Sequence, residues 1–281
     1  MNVNVNSFSF ENSGPILSDI NFDVPSGSVI GIVGDSGCGK TTLGKLLVNY
    51  FNINGDNVHF NGQVEYYDKN KVFNICDPSK EYYQVFSVPP VQMIFQDPKT
   101  SINLKMTVYN LIQESLSLST SSTTVEELTS KLLINEGLLD TTAKNLSGGQ
   151  RRRLGIAKIM AGLSTLQSDI PKIIIADEPV ASLDASIKHE IMKCIIDLKD
   201  DGYTIIVISH DILLVKNISD MILVMDKVNG SGELVEIWNP NEPPKTDKTK
   251  QLINDSNHIN NFLSKLNNIY ISNNDISSIV L

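Results

Sequence analysis

Apolar and polar residues alternate in two stretches near the N-terminus, residues 3–10 and Ile16–Val24, and a Pro25-Ser26-Gly27 turn follows the second. Alternation with a period of two is typical of half-buried strands, so we predict antiparallel strands here. Uninterrupted apolar runs predict strands that are buried on both faces: Ser28–Val33, Ile173–Ala176 and Thr204–Ser209. Shorter strand-like pieces are Val58–Phe60, Gln63–Tyr67, Lys71–Ile75, Val91–Phe95 and Met221–Met225, and Asn61-Gly62 is predicted to break the first two.

Apolar residues at helical spacing follow several of these strands. The predicted helices are Leu43–Val48, Val108 to about Leu139 with a Ser/Thr-rich interruption at Ser115–Thr124, Arg151–Ala161 and Ile187–Leu198. Strands that alternate with helices imply a mostly parallel sheet covered on both faces, so the predicted fold class is α/β with the helical middle stretch as an inserted lobe. The tail from Asn239 is rich in Asn and Lys. Part of it is predicted to dock, because helical spacing continues through Leu252, Ile259, Phe262, Leu263 and Leu266.

Composition narrows the class of protein without identifying it. The 281 residues are 41% hydrophobic and 20% charged, as in an ordinary globular protein, and the net charge of −9 argues against a nucleic-acid partner. The three cysteines, Cys38, Cys76 and Cys194, lie at no metal or redox spacing, which is typical of a reducing cytoplasm. We expect no signal peptide and no membrane span, so any membrane role must come through a partner.

The segment Gly34-Asp35-Ser36-Gly37-Cys38-Gly39-Lys40-Thr41 matches the phosphate-loop pattern G-x-x-x-x-G-K-[S/T] at every position. It lies between a predicted strand and a predicted helix, which is the context that the motif requires. The glycines let backbone N–H groups surround an anion at a helix N-terminus. Lys40 supplies a cation for the β- and γ-phosphates, and the Thr41 hydroxyl can bind Mg²⁺. The sequence therefore predicts binding of a nucleoside triphosphate.

Two further motifs point to phosphate chemistry. The buried run Ile173–Ala176 ends in Asp177 and Glu178, at the strand edge where open α/β sheets hold their ligands. Asp177 is expected to hold Mg²⁺ through water, and Glu178 to polarise a water that attacks the γ-phosphorus. Leu146-Ser147-Gly148-Gly149-Gln150 precedes a predicted helix, and Ser147 is a suitable cap for it. This segment is predicted to be a second anion-binding helix start.

Taken together, these motifs resemble those of the nucleotide-binding subunits of ATP-binding cassette (ABC) transporters, over nearly the whole of residues 1–235. Leu146–Gln150 matches the signature motif of that family. The resemblance implies a P-loop NTPase (RecA-like) core with an antiparallel β subdomain and an inserted helical subdomain at about 97–160. The nucleotide-binding domain would then span 1–238, and 239–281 would be a partly helical C-terminal extension.

The resemblance also implies roles for single residues. Gln96, after Met93-Ile94-Phe95, is similar to the Q-loop glutamine, which touches Mg²⁺ and the attacking water. Ser182-Leu183-Asp184 resembles the D-loop, and His210 the switch histidine beside the γ-phosphate, so the expected catalytic residues are Glu178, His210 and Gln96. The expected ATP contacts are Phe10, with Phe8 as a rival for adenine stacking, and Gly34, Asp35, Ser36, Gly37, Cys38, Gly39, Lys40, Thr41, Thr42, Ser147, Gly148, Gly149, Gln150 and Asp184. The expected Mg²⁺ contacts are Thr41, Gln96 and Asp177.

Within the family, residues 95–108 resemble the Q-loop of oligopeptide, dipeptide and nickel importers, F-Q-D-P-x-T-S-L-N-P-x-M-T-V. The segment from Asn239-Pro240 to Leu252 echoes the region after their cassette, but it lacks that region's His and Tyr, and the cysteine cluster that binds an iron–sulfur centre in some members is absent. Arg151-Arg152-Arg153 stands where most members have R-Q-R, and we expect it to be a solvated helix face.

The resemblance implies partners: transmembrane permease subunits, a second ABC ATPase subunit that shares two ATP sites head to tail, and an extracellular substrate-binding protein. It places the chain peripherally on the cytoplasmic face of the cell membrane. An ABC exporter subunit and a non-transport ABC ATPase remain alternatives. A ribosome-associated ATPase of this family would normally carry two cassettes. A chromosome-type ATPase would need a long coiled coil between Lys40 and Ser147, where no heptads occur.

Overall fold

A single ten-stranded sheet forms the centre of the protein, with the strand order β5-β4-β1-β2-β10-β9-β3-β8-β7-β6. The computed structural model describes residues 1–69, 71–97, 101–117, 122–167, 169–181 and 183–257. The strands are β1 (Asn2–Phe10), β2 (Leu17–Asp23), β3 (Val29–Gly34), β4 (Val58–Asp68), β5 (Lys71–Asn74), β6 (Val91–Ile94), β7 (Lys172–Asp177), β8 (Tyr203–Ile208), β9 (Met221–Val228) and β10 (Ser231–Trp238).

The half of the sheet made by β9, β3, β8, β7 and β6 is parallel throughout. Every residue of β3 and of β8 is buried, and β7 is buried from Ile173 to its end. Strands covered on both faces require continuous apolar sequence, which explains why the runs at Ser28–Val33, Ile173–Ala176 and Thr204–Ser209 predicted them within a residue or two.

The other half of the sheet is mostly antiparallel, with β1 between β2 and β4, and β10 antiparallel to β9. The predicted break at Asn61-Gly62 is wrong, because β4 continues through both residues. A Cβ atom on Gly62 would lie 2.2 Å from the backbone oxygen of Asn4, so glycine here permits close strand approach beside the register shift between Val5 and Ser7. Strand β10 has no counterpart among the predicted elements.

Helices cover the sheet and form a cluster between β6 and β7. They are α1 (Lys40–Leu47), α2 (Tyr50–Asn54), α3 (Lys80–Val85), α4 (Val108–Leu116), α5 (Val125–Lys131), α6 (Gly148–Leu163), α7 (Ala185–Asp197) and α8 (Ile212–Ile218). The helices predicted near Val108, Arg151 and Ile187 are confirmed as α4, α6 and α7. The Ser/Thr-rich interruption lies partly outside the described residues, at 118–121. The predicted subdomain boundaries remain predictions.

The start of the C-terminal extension packs against the sheet. Residues 247–257 are helical; Thr249 is fully buried and Leu252 is 9% exposed. This confirms the predicted docking as far as residue 257. The predicted apolar positions Ile259, Phe262, Leu263 and Leu266 lie outside the described residues. Within the described part of the chain, no helix has the length and apolar character needed to cross a membrane.

Candidate nucleotide-binding and hydrolysis site

The predicted catalytic residues and the phosphate loop follow the carboxyl ends of neighbouring parallel strands. These ends lie at one edge of the sheet, which is where α/β folds hold their ligands. The phosphate loop follows β3, Phe95-Gln96 follows β6, Asp177 and Glu178 end and follow β7, and Ser209-His210 follows β8. The parallel half of the fold therefore gathers residues that are far apart in the sequence.

The phosphate loop requires glycine at several of its positions. Gly37 and Gly39 have φ of 80° and 95°, in the left-handed region that favours glycine. A Cβ on Gly39 would lie 2.5 Å from Leu17 Cδ2, and one on Gly34 would lie 2.2 Å from the backbone oxygen of Met225. The loop leads directly into α1, which begins at Lys40. Its backbone and the helix N-terminus together fit a phosphate chain.

Lys40 spans the loop from the start of its helix. Its Nζ donates to the backbone oxygens of Gly34 and Asp35, each over 2.8 Å, and the residue is only 8% exposed. The third N–H of the ammonium group has only a long contact, 3.9 Å to Cys38 Sγ, which a bound anion can replace. The side chain is thus positioned to neutralise a bound phosphate.

Thr41 and Asp177 form a pair of oxygen ligands at the edge of the sheet. The Thr41 hydroxyl donates to Asp177 Oδ1 over 3.1 Å, and Asp177 is 1% exposed. Burial raises the pKa of the Asp177 carboxyl, and the Thr41 hydrogen bond opposes that rise. A buried carboxylate beside a hydroxyl suits Mg²⁺, which takes one or two protein oxygens together with phosphate and water. Among the described residues, no group of three or more His, Cys, Asp or Glu side chains forms a metal cluster.

Glu178 and His210 are in direct contact. Glu178 Oε1 accepts the His210 backbone N–H over 2.9 Å and lies 2.8 Å from His210 Nδ1. The Glu178 side chain is 14% exposed and that of His210 is 70% exposed. Glu178 also has φ of 45°, which is strained for a residue with a side chain, while its N–H donates to the Ile208 oxygen over 2.9 Å. The fold therefore fixes the direction of this carboxylate.

The signature segment forms the start of α6. Ser147 Oγ accepts the Gln150 N–H over 3.2 Å and Gln150 Oε1 accepts the Ser147 N–H over 2.8 Å, which is a reciprocal capping box. Gly148 is exposed, whereas Gly149 is buried and a Cβ there would lie 2.8 Å from Ile187 Cγ2. Among the described residues, no hydrogen bond or ion pair joins this segment to the phosphate loop of the same chain.

The remaining predicted site residues differ in how the structure places them. Gln96 is exposed after β6, and Asp184 caps α7 by accepting the Ile187 N–H over 3.1 Å. Ser182 of the predicted D-loop lies outside the described residues. Phe8 is fully buried, while Phe10 is only partly buried, with its ring centroid 5.4 Å from that of Phe51. Phe10 is therefore the more accessible of the two aromatic residues. The catalytic and ligand-binding roles remain predictions.

The expectation of a solvated face at Arg151–Arg153 is wrong for Arg153, whose side chain is only 14% exposed, and for Arg152. Arg152 is 6% exposed, its Nη2 donates to the Ala181 oxygen over 3.4 Å, and its Nη1 has no hydrogen-bond partner among the described residues. Burial lowers the pKa of this guanidinium, while Asp97, Asp177 and Glu178 favour its charged form. The Arg152 side chain points into the fold because α6 packs against α7 and against Ala181, in the segment before α7.

Sequence patterns gave no sign of two contacts with the phosphate loop. A Cβ on Gly232 of β10 would lie 1.9 Å from the backbone oxygen of Cys38. Lys248 in the C-terminal helix forms ion pairs with Asp35 and with Asp226. Neither contact has a local signature, because both depend on how distant segments pack.

Comparison with known proteins identifies relatives over most of the chain. A family model described as ABC transporter matches residues 17–181. The oligopeptide transport ATP-binding protein OppF of Bacillus subtilis is 34% identical over 229 residues, which cover 79% of this chain and 68% of that protein. The dipeptide transport ATP-binding protein DppF of Lactococcus lactis is 31% identical over 233 residues, which cover 79% of this chain and 70% of that protein.

Solved structures of ATP-binding cassettes have the same fold. A dimeric cassette in a post-hydrolysis state, bound to ADP and phosphate, aligns with a TM-score of 0.66 at 21% identity, covering 86% of this chain and 100% of that one. A nucleotide-free cassette from an ABC transporter gives a TM-score of 0.63 at 22% identity, covering 90% and 96%. This likeness confirms the predicted α/β fold with a P-loop NTPase core.

Proposed function

Since the chain belongs to the ABC transporter family, whose members hydrolyse ATP, we propose that it is the ATPase subunit of a peptide importer. The observation that carries the proposal is the meeting of the phosphate loop, the Thr41–Asp177 pair and the Glu178–His210 pair at one sheet edge. The oligopeptide and dipeptide transport proteins among the relatives support peptides as the cargo.

ATP would bind with its phosphates in the loop from Gly34 to Thr42. The loop N–H groups and the Lys40 ammonium would neutralise the phosphate charge, and Phe10 would stack on the adenine. Thr41 and Asp177 would hold Mg²⁺, with Gln96 reaching it from the end of β6. When bound, the ion neutralises charge on the β- and γ-phosphate oxygens.

Hydrolysis would depend on the two residues that contact each other beyond β7 and β8. Glu178 would orient the attacking water, because its carboxylate direction is set by its own backbone and by the His210 N–H. His210 would face the γ-phosphate from its exposed position, while its ring Nδ1 contacts the same Oε1 of Glu178 that its backbone N–H holds. Such positioning is the main contribution a protein makes to phosphoryl transfer.

The second half of each ATP site would come from another ABC ATPase subunit. The start of α6 presents Ser147 and Gly148 to solvent, away from any polar contact with the phosphate loop in the described chain. A partner's Ser147–Gln150 segment would cover the γ-phosphate and exclude water, which strengthens electrostatic stabilisation. The two subunits would then form a dimer when ATP binds and separate after hydrolysis. Asp184 would lie near the interface between them.

Permease subunits would bind at a cleft between β6 and α6. The cleft has a volume of about 300 Å³ and is lined by Met93, Phe95, Ile102, Arg152, Lys158 and Ile159, among others. Phe95, which lines the cleft, directly precedes Gln96. A permease helix bound in the cleft would therefore be coupled to the ATP site through this segment. Through this contact the chain would lie peripherally on the cytoplasmic face of the membrane, in a complex that includes an extracellular substrate-binding protein.

Uptake measurements test the proposal. Two strains are compared, one that expresses this chain and one that expresses the Lys40→Ala variant in its place. Only the strain with the unaltered chain should take up a labelled oligopeptide. Uptake of radioactive nickel by the same cells tests the nickel importer that the Q-loop resemblance also allows. Lys40→Ala uptake equal to that of the unaltered chain would contradict the ATPase assignment, and dependence of nickel uptake alone would contradict the peptide cargo.

A further inference from the structure

The C-terminal extension reaches the phosphate loop through one side chain. Lys248, in the helix at 247–257, contacts the Asp35 carboxylate, and its Nζ lies 3.0 Å from Asp226 Oδ1. Its side chain is 13% exposed, whereas that of Asp35 is 58% exposed. An ammonium held between two carboxylates leaves this group of three with a net charge of −1, instead of −2 without the lysine.

Asp35 occupies a sensitive position for anion binding. It is the second residue of the phosphate loop, and its backbone oxygen accepts a hydrogen bond from Lys40 over 2.8 Å. Asp226 follows Met225, which pairs with Gly34 at the start of the loop. Both carboxylates therefore lie beside a loop built to receive phosphates, where negative charge opposes binding.

The helix that carries Lys248 is fixed in place by contacts away from the loop. Glu236 of β10 accepts hydrogen bonds from the Lys245 N–H at 2.8 Å, the Thr246 N–H at 3.0 Å and the Thr249 hydroxyl at 2.5 Å. The Trp238 indole N–H also donates to the Glu242 oxygen over 2.8 Å, in the segment that leads to the helix. These contacts orient Lys248 without using it.

We propose that Lys248 is a positioning residue for nucleotide binding: it neutralises Asp35 and Asp226 and so makes the phosphate loop receptive to ATP. The inference rests on the proposed function in so far as the loop binds ATP. The C-terminal extension thereby contributes to the ATP site, although it follows all the catalytic motifs in the sequence. Lys248 acts through Asp35 and not by contact with the reacting atoms.

The test compares Lys248→Met, Asp35→Asn and the double variant. Methionine keeps the unbranched apolar stem of the lysine and removes only the charge. Binding of a fluorescent ATP analogue to Lys248→Met should weaken about threefold to tenfold, with kcat changed less than about twofold. Asp35→Asn should restore binding in the double variant and tighten it when introduced alone. Raising the salt concentration from about 0.05 M to about 0.5 M should shrink the loss, because exposed charges are screened.

Two controls separate the possible causes. Lys250 lies on the same helix and pairs with the exposed Asp247. The Lys250→Met variant should bind nucleotide like the unaltered chain. Lys40→Ala tests the loop itself: unchanged nucleotide affinity in that variant would contradict the proposed function. If Lys40→Ala loses binding but Lys248→Met keeps it, only the present inference fails. It also fails if Asp35→Asn does not restore binding and the loss follows a lower melting temperature.

Discussion

The Thr41 hydroxyl donates to Asp177 Oδ1 over 3.1 Å, joining the first turn of α1 to the end of β7 across 136 positions of sequence. The contact places a neutral oxygen ligand beside a buried carboxylate, at the point where the phosphate loop meets the neighbouring strands. Burial raises the pKa of Asp177, and a divalent cation bound there would favour its ionised form.

Replacing Thr41 with Val should raise the Mg²⁺ concentration that gives half-maximal ATPase activity by about tenfold or more, because one oxygen ligand is lost. The measurement is ATPase rate against Mg²⁺ concentration at saturating ATP. Thr165→Val is the matched control, since the Thr165 hydroxyl is buried and has no hydrogen-bond partner among the described residues. An unchanged Mg²⁺ requirement in Thr41→Val would remove Thr41 from the proposed ligands.

Glu178→Gln should preserve ATP binding and lower turnover by about 10²–10⁴-fold, since an amide cannot polarise the attacking water as a carboxylate does. With ATP and Mg²⁺ this variant should elute from a size-exclusion column as a stabilised dimer. Glu190→Gln provides the control, because it removes the charge of a half-exposed carboxylate that pairs with Arg153 away from the proposed site. Hydrolysis at the normal rate by Glu178→Gln would refute its assignment as the catalytic residue.

Shared active sites predict complementation between two inactive chains. Lys40→Ala damages the phosphate loop and Ser147→Arg damages the signature segment, so neither homodimer has an intact site. A mixed dimer has one site with both lesions and one with neither, and mixing should restore part of the ATPase activity. Activity that stays linear with protein concentration down to the monomer would contradict shared sites. If the natural partner is a different cassette, the mixing must include it.

Gly232→Ala should destabilise the protein and weaken ATP binding together. The added Cβ would lie 1.9 Å from the Cys38 oxygen and 3.3 Å from the Ile16 oxygen, both backbone atoms. Overpacking of this kind costs about 1–3 kcal/mol in the free energy of unfolding. Gly14→Ala is the control, because nothing lies within 4 Å of a Cβ there. Urea unfolding and nucleotide titration of both variants check the prediction, and equal stability in the two would contradict it.

Glu236→Gln should lower stability in a pH-dependent way. Burial opposes ionisation of Glu236, but the hydrogen bonds from Thr246, Thr249 and the Lys245 N–H outweigh it and lower its pKa from 4.5 to about 2. A lowered carboxyl pKa stabilises the fold above the unfolded-state value and loses that contribution as the pH falls from 4.5 towards about 2.

At pH 7 the Glu236→Gln variant should therefore unfold with a free energy about 1–3 kcal/mol lower than the unaltered chain. The difference should shrink in urea titrations below pH 4.5. Glu126→Gln, at an exposed position of α5, should show neither effect. A stability difference that is independent of pH would mean that the charge of Glu236 does not hold the C-terminal helix.

Much of the fold could be predicted from short stretches of sequence, because whether a segment forms a buried strand depends on its own residues. A strand covered on both faces needs an unbroken apolar run, and β3, β7 and β8 have one. A two-residue signal such as Asn61-Gly62 is weaker evidence, since it marks either a turn or a place where two strands come close. Here the pairing of β1 with β4 determined which of the two occurs.

The phosphate loop and the acidic end of β7 could be read from the sequence because each combines its required residue types within a few positions. The burial of Arg152 and the contacts of Gly232 with Cys38 and of Lys248 with Asp35 could not. Each of these joins segments that are distant in the chain, and their geometry follows from how helices and strands pack around the sheet. Residue type and spacing therefore define the phosphate chemistry, whereas long-range packing sets the charge and the space around it.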